Sequence, residues 1–242
     1  MSPSRRSLFE TVLITFTNRH SWLKNISPTN VELLRHVRSL TIGIDLSYHY
    51  FNHRNAGDFY DYFPSFHRLH TIKLSSSLYI APGISERMQM FSSCQQSLSS
   101  LIFAGVLLHW CSFIALIDYF PNLRNLELWR IWFEDRYTNP PPLSRPLRGK
   151  LCLCPSLNPN LEALSHWFTG LEVEYEELAI KANPDNATSI YSQRIITACE
   201  KTLKRLNFGM REWIVLSGCV VNICLSNSSG YLYRSLPLFR TL

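Results

Sequence analysis

Apolar residues in this chain recur in a three-point pattern, Leu-x-x-Leu-x-Leu, which is clearest in the segment 113–129. The segment begins as a short helix, breaks at Pro121 and continues with Leu123, Leu126 and Leu128. Side chains two apart on a strand share a face, so the last two leucines are predicted to point together into a core. The segment therefore predicts one helix followed by one strand.

The pattern recurs along most of the chain. Leucine-rich repeats use it every ~20–29 residues, with one strand and one helix or turn per unit. Measured at the middle apolar position of seven segments (40, 72, 101, 126, 151, 178 and 206), the steps are 32, 29, 25, 25, 27 and 28 residues. Six copies keep the full spacing: Val37/Leu40/Ile42, Leu69/Ile72/Leu74, Leu98/Leu101/Phe103, Leu123/Leu126/Leu128, Tyr175/Leu178/Ile180 and Leu203/Leu206/Phe208.

Two further segments match the pattern less well. Leu151 and Leu153 lack the first apolar residue at the expected offset, and Ile14 with Phe16 indicates an additional unit near the start. We therefore predict an α/β fold, a leucine-rich-repeat-like solenoid of about seven strand–helix units with a parallel concave sheet and helices on the convex side. Irregular α/β folds also alternate buried strands with helices, but they rarely keep one spacing through six units.

The repeats predict a single domain over residues 1–210. Residues 211–242 remain apolar but lose the spacing, which indicates a degenerate C-terminal cap or a divergent tail. Apolar periodicity and capping residues predict helices between the strands, over approximately these residues: 18–25, 29–36, 58–63, 84–94, 113–120, 158–168 and 187–200.

Charge and cysteine content exclude several classes of protein. The net charge of +6 comes from scattered cations, without the clustering that nucleic-acid binding requires, so we do not expect a nucleic-acid partner. Seven irregularly spaced cysteines, with no apolar signal sequence in the first ten residues, indicate reduced thiols in the cytoplasm or nucleus. Residues 98–117 and 213–233 carry no formal charge, but their polar side chains favour buried core over a membrane span.

No arrangement of residues indicates catalysis, a cofactor or a metal. Cys152 and Cys154 place two thiols on one strand face, which is too few ligands for a structural zinc site. His49 and His53 have ligand spacing only in a helix, and they lie in a segment typical of a loop. The acidic run 172–177 is typical of a solvated face. We therefore predict no enzyme activity and no cofactor.

Three segments resemble the repeat region of fungal F-box/leucine-rich-repeat-like proteins. They are residues 37–42 (VRSLTI), 120–128 (FPNLRNLEL) and 199–206 (CEKTLKRL), and the resemblance extends over about residues 8–210. It implies that the repeats select a protein substrate, while an N-terminal F-box docks on the linker protein of a cullin ubiquitin ligase. No F-box motif of the L-P-x-E-[IL] type precedes Val37. The resemblance therefore implies substrate recognition alone and does not imply docking on the ligase.

The partner is predicted to bind residues that alternate with the core positions on the concave face. Trp129 is the strongest candidate, because tryptophan is enriched at interface hot spots; the alternative is that it folds back into the core. The main candidates are Thr41, Lys73, Asn125, Glu127, Trp129, Lys150, Glu177, Arg205 and Asn207. Other positions predicted to be exposed on this face include Ile102, Cys152 and Ala179.

The sequence thus favours a protein–protein interaction module, which the resemblance would make the substrate-recognition half of an F-box-type ubiquitin ligase adaptor. One alternative is a stand-alone repeat protein, or a truncated relative with no contact to a ligase. Another is a hydrolytic or nucleic-acid-binding α/β protein whose strand spacing only imitates a repeat. None of these interpretations involves a cofactor or a membrane.

Overall fold

The structure is a computed structural model of the 242-residue chain. It describes residues 10–15, 28–43, 65–75, 79–80, 84–134, 143–154, 158–180, 186–208, 221–227 and 230–235. The helices predicted at 18–25 and 58–63, and the histidines at 49 and 53, lie outside the described residues.

Strands and helices alternate along most of the described chain. The strands are β1 (Thr11–Thr15), β2 (Ser39–Gly43), β3 (Thr71–Ser75), β4 (Tyr79–Ile80), β5 (Ser100–Ala104), β6 (Leu107–Leu108), β7 (Asn125–Trp129), β8 (Trp132–Phe133), β9 (Leu147–Cys154), β10 (Val173–Ile180), β11 (Arg205–Phe208), β12 (Val221–Asn227) and β13 (Gly230–Ser235). The α-helices are α1 (Trp110–Tyr119), α2 (Asn158–Thr169) and α3 (Asn186–Ala198), and the 3₁₀ helices span Pro28–His36 and Ile84–Cys94.

The protein is an α/β protein whose strands are mostly parallel. Its contacts divide it into two compact units, of which the first comprises Met1–Leu123 with Ile131–Asp135. The second unit comprises Arg124–Arg130 with Arg136–Leu242.

The first unit contains a main sheet of parallel strands in the order β1, β2, β3, β5. Strands β2, β3 and β5 each alternate buried and partly exposed residues, with the two apolar residues of the pattern buried. Leu40, Ile42, Leu101 and Phe103 are all fully buried. The prediction that these residues point into a core is confirmed for these strands.

A second, smaller parallel sheet in the first unit was not predicted from the sequence. It contains β4, β6 and β8, each only two residues long. Between them and the α1 helix lies an aromatic cluster, in which Trp110 stacks on Phe133 at a ring-centroid distance of 3.8 Å. Phe113 contacts both Phe103 and Trp110 edge to face, at 5.5 and 5.7 Å. The uncharged segment 98–117 therefore folds as strands and part of a ten-residue buried helix.

The two helices that precede β2 and β5 are 3₁₀ helices, whereas the sequence predicted helices with the usual apolar spacing. In a 3₁₀ helix, residues three apart lie above one another. Met88, Phe91 and Cys94 follow that three-residue period and are all buried. A strict three-residue apolar spacing is thus the signal that distinguishes this helix from α1.

The second unit contains a sheet in the order β7, β9, β10, β11, β12, β13, in which all neighbours are parallel except the last pair. Helices α2 and α3 pack against each other, and Trp167, Phe168 and Ile195 from them are buried. Residues 211–242, where the spacing is lost, contribute β12 beside β11 and the antiparallel β13.

Gly149 explains why the repeat at Leu151 lacks its first apolar residue at the expected offset. Gly149 pairs with Tyr175, the first apolar residue of the next copy, and the buried Leu147 two residues earlier pairs with the buried Val173. Gly149 has a φ of 87° and lies against the carbonyl oxygen of Arg124, which accepts a hydrogen bond from the Lys150 amide at 2.7 Å. Glycine adopts this backbone conformation without strain and leaves room for the close approach.

Replacement of Gly149 by alanine is expected to lower the free energy of unfolding by about 2–3 kcal/mol, because the new Cβ meets the Arg124 carbonyl and the backbone is left-handed. Gly105→Ala is the matched control: φ is 72° but the space is open, so we expect a loss of about 1 kcal/mol. Gly170→Ala should change stability by less than about 0.5 kcal/mol. Urea denaturation measures all three variants, and equal losses at 105 and 149 would rule out a role for the Arg124 contact.

Candidate functional site

Each main sheet has one face that carries the buried pattern residues and an opposite face that carries the residues between them. We call the latter the polar face of that unit. In the second unit it comprises Asn125, Glu127, Trp129, Lys150, Cys152, Glu177, Ala179, Arg205 and Asn207. The sequence analysis placed the predicted partner-binding residues on such a face.

Parallel pairing arranges the polar face of the second unit in two cross-strand rows. Each row takes one residue from each of β7, β9, β10 and β11, at neighbouring register positions. Neighbouring strands lie ~4.8 Å apart, so adjacent members of a row are close enough to interact. The first row is Asn125, Lys150, Glu177 and Arg205, and the second is Glu127, Cys152, Ala179 and Asn207.

Trp129 lies beyond these rows at the end of β7, and its indole ring is held by a carboxylate. Its Nε1–H donates a hydrogen bond of 3.0 Å to Oε2 of Glu127, whose Oε1 accepts one of 3.0 Å from Nδ2 of Asn125. Trp129 is partly exposed, on the side of β7 opposite the buried Leu126 and Leu128. The ring is therefore outside the core formed by those leucines and has a defined orientation.

Ion pairs connect the acidic segment of β10 to the strands on both sides. Glu174 pairs with Arg148 at 2.7 Å, and Glu177 pairs with Arg205 at 2.8 Å. All four of these side chains are substantially exposed, so each pair contributes little to stability, about 0–1 kcal/mol. Their main effect is to fix the positions of charges on the surface.

The formal charges on the polar face of the second unit cancel. Glu127 and Glu177 contribute two negative charges, and Lys150 and Arg205 contribute two positive charges. Opposite charges alternate along the first row from Lys150 through Glu177 to Arg205. A polyanion such as a nucleic acid would be attracted by a positively charged surface, whereas this face carries charges of both signs.

Two of the predicted residues, Thr41 and Lys73, lie on the polar face of the first unit. They occupy one cross-strand row with Leu13 and Ile102. Thr41, Lys73 and Ile102 are partly buried, whereas Leu13 is 52% exposed. This row is more apolar than either row of the second unit, and the exposed Leu13 was not among the residues predicted from the sequence.

The prediction that Cys152 is exposed is wrong. It was predicted to be exposed, and it does lie on the polar side of β9, but only 6% of its surface is accessible. Its register neighbours are Glu127 and Ala179, and a short thiol side chain between two strands is easily covered by longer residues around it. Alternation along a strand predicts the direction of a side chain, whereas its accessibility depends on the neighbouring strands.

Two buried thiols, those of Cys94 and Cys199, have little nucleophilic character. Burial raises the pKa of Cys94 and of Cys199 from 9.0 to about 12, so both stay protonated near neutral pH. Burial, together with the nearby Cys199, also raises the pKa of Tyr175 well above its ordinary value. Since the thiolate is the reactive form of cysteine, these two residues are suited to packing and unsuited to covalent chemistry.

The described residues contain neither a metal site nor a membrane-spanning helix. In that part of the chain, no three His, Cys, Asp or Glu side chains come together in a way that could hold a metal ion. No helix formed by the described residues is both long enough and apolar enough to cross a membrane.

No protein-family model matches this chain, and no curated protein shows significant sequence similarity to it.

The raised pKa values predict a loss of stability in alkaline solution. Between pH 9 and about 12 the unfolded chain loses thiol protons that folded Cys94 and Cys199 retain, so the free energy of unfolding falls as the pH rises. The expected slope is up to about 1.4 kcal/mol per pH unit for each thiol. Urea denaturation at several pH values between 8 and 11 measures this slope.

Two variants separate this effect from general alkaline destabilisation. Cys199→Ala removes one buried thiol and should flatten the dependence on pH, even though it lowers the overall stability. Cys111→Ser changes an exposed thiol and should leave the dependence unchanged. The same slope in Cys199→Ala and in the wild-type protein would contradict the assignment.

Proposed function

We propose that this protein is a leucine-rich-repeat-like solenoid that binds another protein through the polar faces of its sheets. The recurring three-point spacing supports this, because the copies in β2, β3, β5 and β7 bury their last two apolar residues and direct the intervening residue to the opposite face. Repeat proteins of this kind use extended sheet surfaces to bind partners.

The proposal depends mainly on the exposure and orientation of the Trp129 ring. A large aromatic ring that is partly exposed, and already oriented by its hydrogen bond to Glu127, loses little conformational freedom when a partner covers it. Tryptophan is among the residues most enriched at hot spots of protein interfaces. A ring that only completed a core would be expected among Leu126 and Leu128, on the other side of β7.

The other residues on the polar face of the second unit indicate the chemistry of the partner. Lys150, Glu177 and Arg205 present alternating charges, and Asn125 and Asn207 add amide groups. Such a surface, with the Trp129 ring at one end, complements a protein surface that carries charges of both signs and one apolar residue opposite the ring. It does not favour the nucleic-acid-binding alternative, since the face carries no net positive charge.

The resemblance to fungal F-box/leucine-rich-repeat-like proteins supports a more specific proposal. In it, the polar faces select a substrate for ubiquitination, and a docking element elsewhere binds the linker protein of a cullin ligase. The stand-alone alternative has the same recognition surface and no ligase contact. Both proposals assign partner binding to Trp129. They differ only in whether the protein also binds the linker protein of a cullin ligase.

Replacement of Trp129 by alanine should weaken capture of the specific partner proteins at least tenfold, as expected for a hot-spot residue. The free energy of unfolding should fall by about 1–2 kcal/mol, well below the loss for a fully buried tryptophan, because the side chain is partly exposed. Quantitative pull-down with the full chain measures binding, and urea denaturation measures stability.

Two matched tryptophans serve as controls for this variant. Trp132→Ala removes a tryptophan that is 36% exposed on the small sheet, and it should leave partner capture unchanged. Trp167→Ala removes a buried tryptophan and should cost about 3–5 kcal/mol. If Trp129→Ala destabilises the protein as strongly as Trp167→Ala, then Trp129 is a structural residue and the proposed binding role fails.

Affinity purification of the tagged full chain from its own cells, followed by mass spectrometry, should distinguish the adaptor from the stand-alone protein. Recovery of a cullin and its linker protein together with other specific partners is expected for the adaptor. Recovery of specific partners alone, in amounts reduced by Trp129→Ala, would support the stand-alone alternative and exclude ligase recruitment.

A further inference from the structure

A cleft in the first unit, remote in sequence from Trp129, brings together two arginine side chains and one histidine. It has a volume of about 420 Å³, including space open to solvent, and the described residues that line it are Glu10, His36, Arg38 and Arg68. Neither the sequence pattern nor the proposed function accounts for it. Its location is at the amino-terminal ends of β1, β2 and β3.

Backbone pairing explains why these residues meet. The amides of Arg38 and Ser39 both donate to the carbonyl oxygen of Glu10, at 2.9 Å, and the His70 amide donates to the Arg38 carbonyl at 2.8 Å. The residues directly before the three strands are therefore stacked one strand spacing apart, ~4.8 Å. His36 and Arg68 each lie two residues earlier in the chain, at equivalent places in neighbouring repeats.

The charges in the cleft are only partly compensated by the described residues. Two guanidinium groups and one imidazole face a single carboxylate, that of Glu10. Its contact with Arg38 is long, 3.8 Å from Oε1 to Nε, and both side chains are at least half exposed. By contrast, the nearby Arg35 and Glu32 form a short ion pair of 2.6 Å. The Glu10 carboxylate therefore holds the Arg38 guanidinium loosely.

We propose that this cleft binds a phosphate monoester. Guanidinium groups donate in a planar fork that matches the oxygens of a phosphate, and two of them with an imidazole suit a dianion better than a monoanionic carboxylate. Glu10 would act as a weak internal competitor for Arg38. This site does not involve the polar faces, so its test does not depend on the proposed partner-binding role.

Titration of the full ¹⁵N-labelled chain with inorganic phosphate and with phosphoserine, at constant ionic strength, tests the proposal. Both ligands should shift the NMR signals of His36 and of the side chains of Arg38 and Arg68 with a saturable dependence. Acetate at the same ionic strength should shift them much less, since it carries one charge. Binding of inorganic phosphate without phosphoserine would overturn the assignment to a monoester.

Charge variants within and outside the cleft provide the matched comparison. Arg38→Ala and Arg68→Ala should each weaken phosphate binding about tenfold, as expected for loss of a hydrogen bond to a charged group. Arg35→Ala removes the same charge from a residue that does not line the cleft, and it should change binding less than about twofold.

A gain of affinity makes the test independent of any loss of folding. Glu10→Gln removes the competing carboxylate and should strengthen phosphate binding, whereas Glu32→Gln makes the same change on the neighbouring helix and should have little effect. Equal strengthening by both substitutions would show a general response to net charge and would overturn the site. No saturable shift with either phosphate ligand would overturn it as well.

Discussion

Strands β2, β3, β5 and β7 each bury two apolar side chains on one face while their backbones pair with neighbouring strands. This double requirement governs both units of the protein. It fixes the register, because a shift of one residue would move Leu126 and Leu128 out of the core and place Glu127 in it. In-register pairing then aligns the intervening residues across neighbouring strands, and the polar faces follow from that alignment.

The polar face of the second unit combines charges that are held in place with one oriented aromatic ring. Glu127 contacts side chains two residues away on both sides along β7, and Glu177 reaches across to Arg205 on the next strand. These exposed contacts add little to stability, so their effect is mainly on the arrangement of the surface. The buried thiols Cys94 and Cys199 have the opposite character, since burial stabilises their protonated form and removes their reactivity.

Local pattern predicted several elements well and others poorly. The helices predicted at about 158–168 and 187–200 agree with α2 and α3, and the strand positions agree because alternation is a property of the chain itself. The small sheet of β4, β6 and β8 was missed because strands of two residues carry no periodicity. The 3₁₀ helices were not recognised because a three-residue spacing was taken as part of the longer helical period.

The sequence by itself determined which residues enter the core and which alternate with them, because strand geometry converts a spacing of two directly into a shared face. It therefore placed Trp129 among the residues that alternate with the core leucines and left open whether its ring would fold back. Only the tertiary structure decided the features that depend on neighbouring strands. It oriented Trp129 on Glu127, buried Cys152 between two strands, required glycine at position 149 beside the Arg124 carbonyl, and brought Glu10, His36, Arg38 and Arg68 to one cleft. Pairing between segments tens of residues apart produces each of these contacts, and no local spacing specifies it.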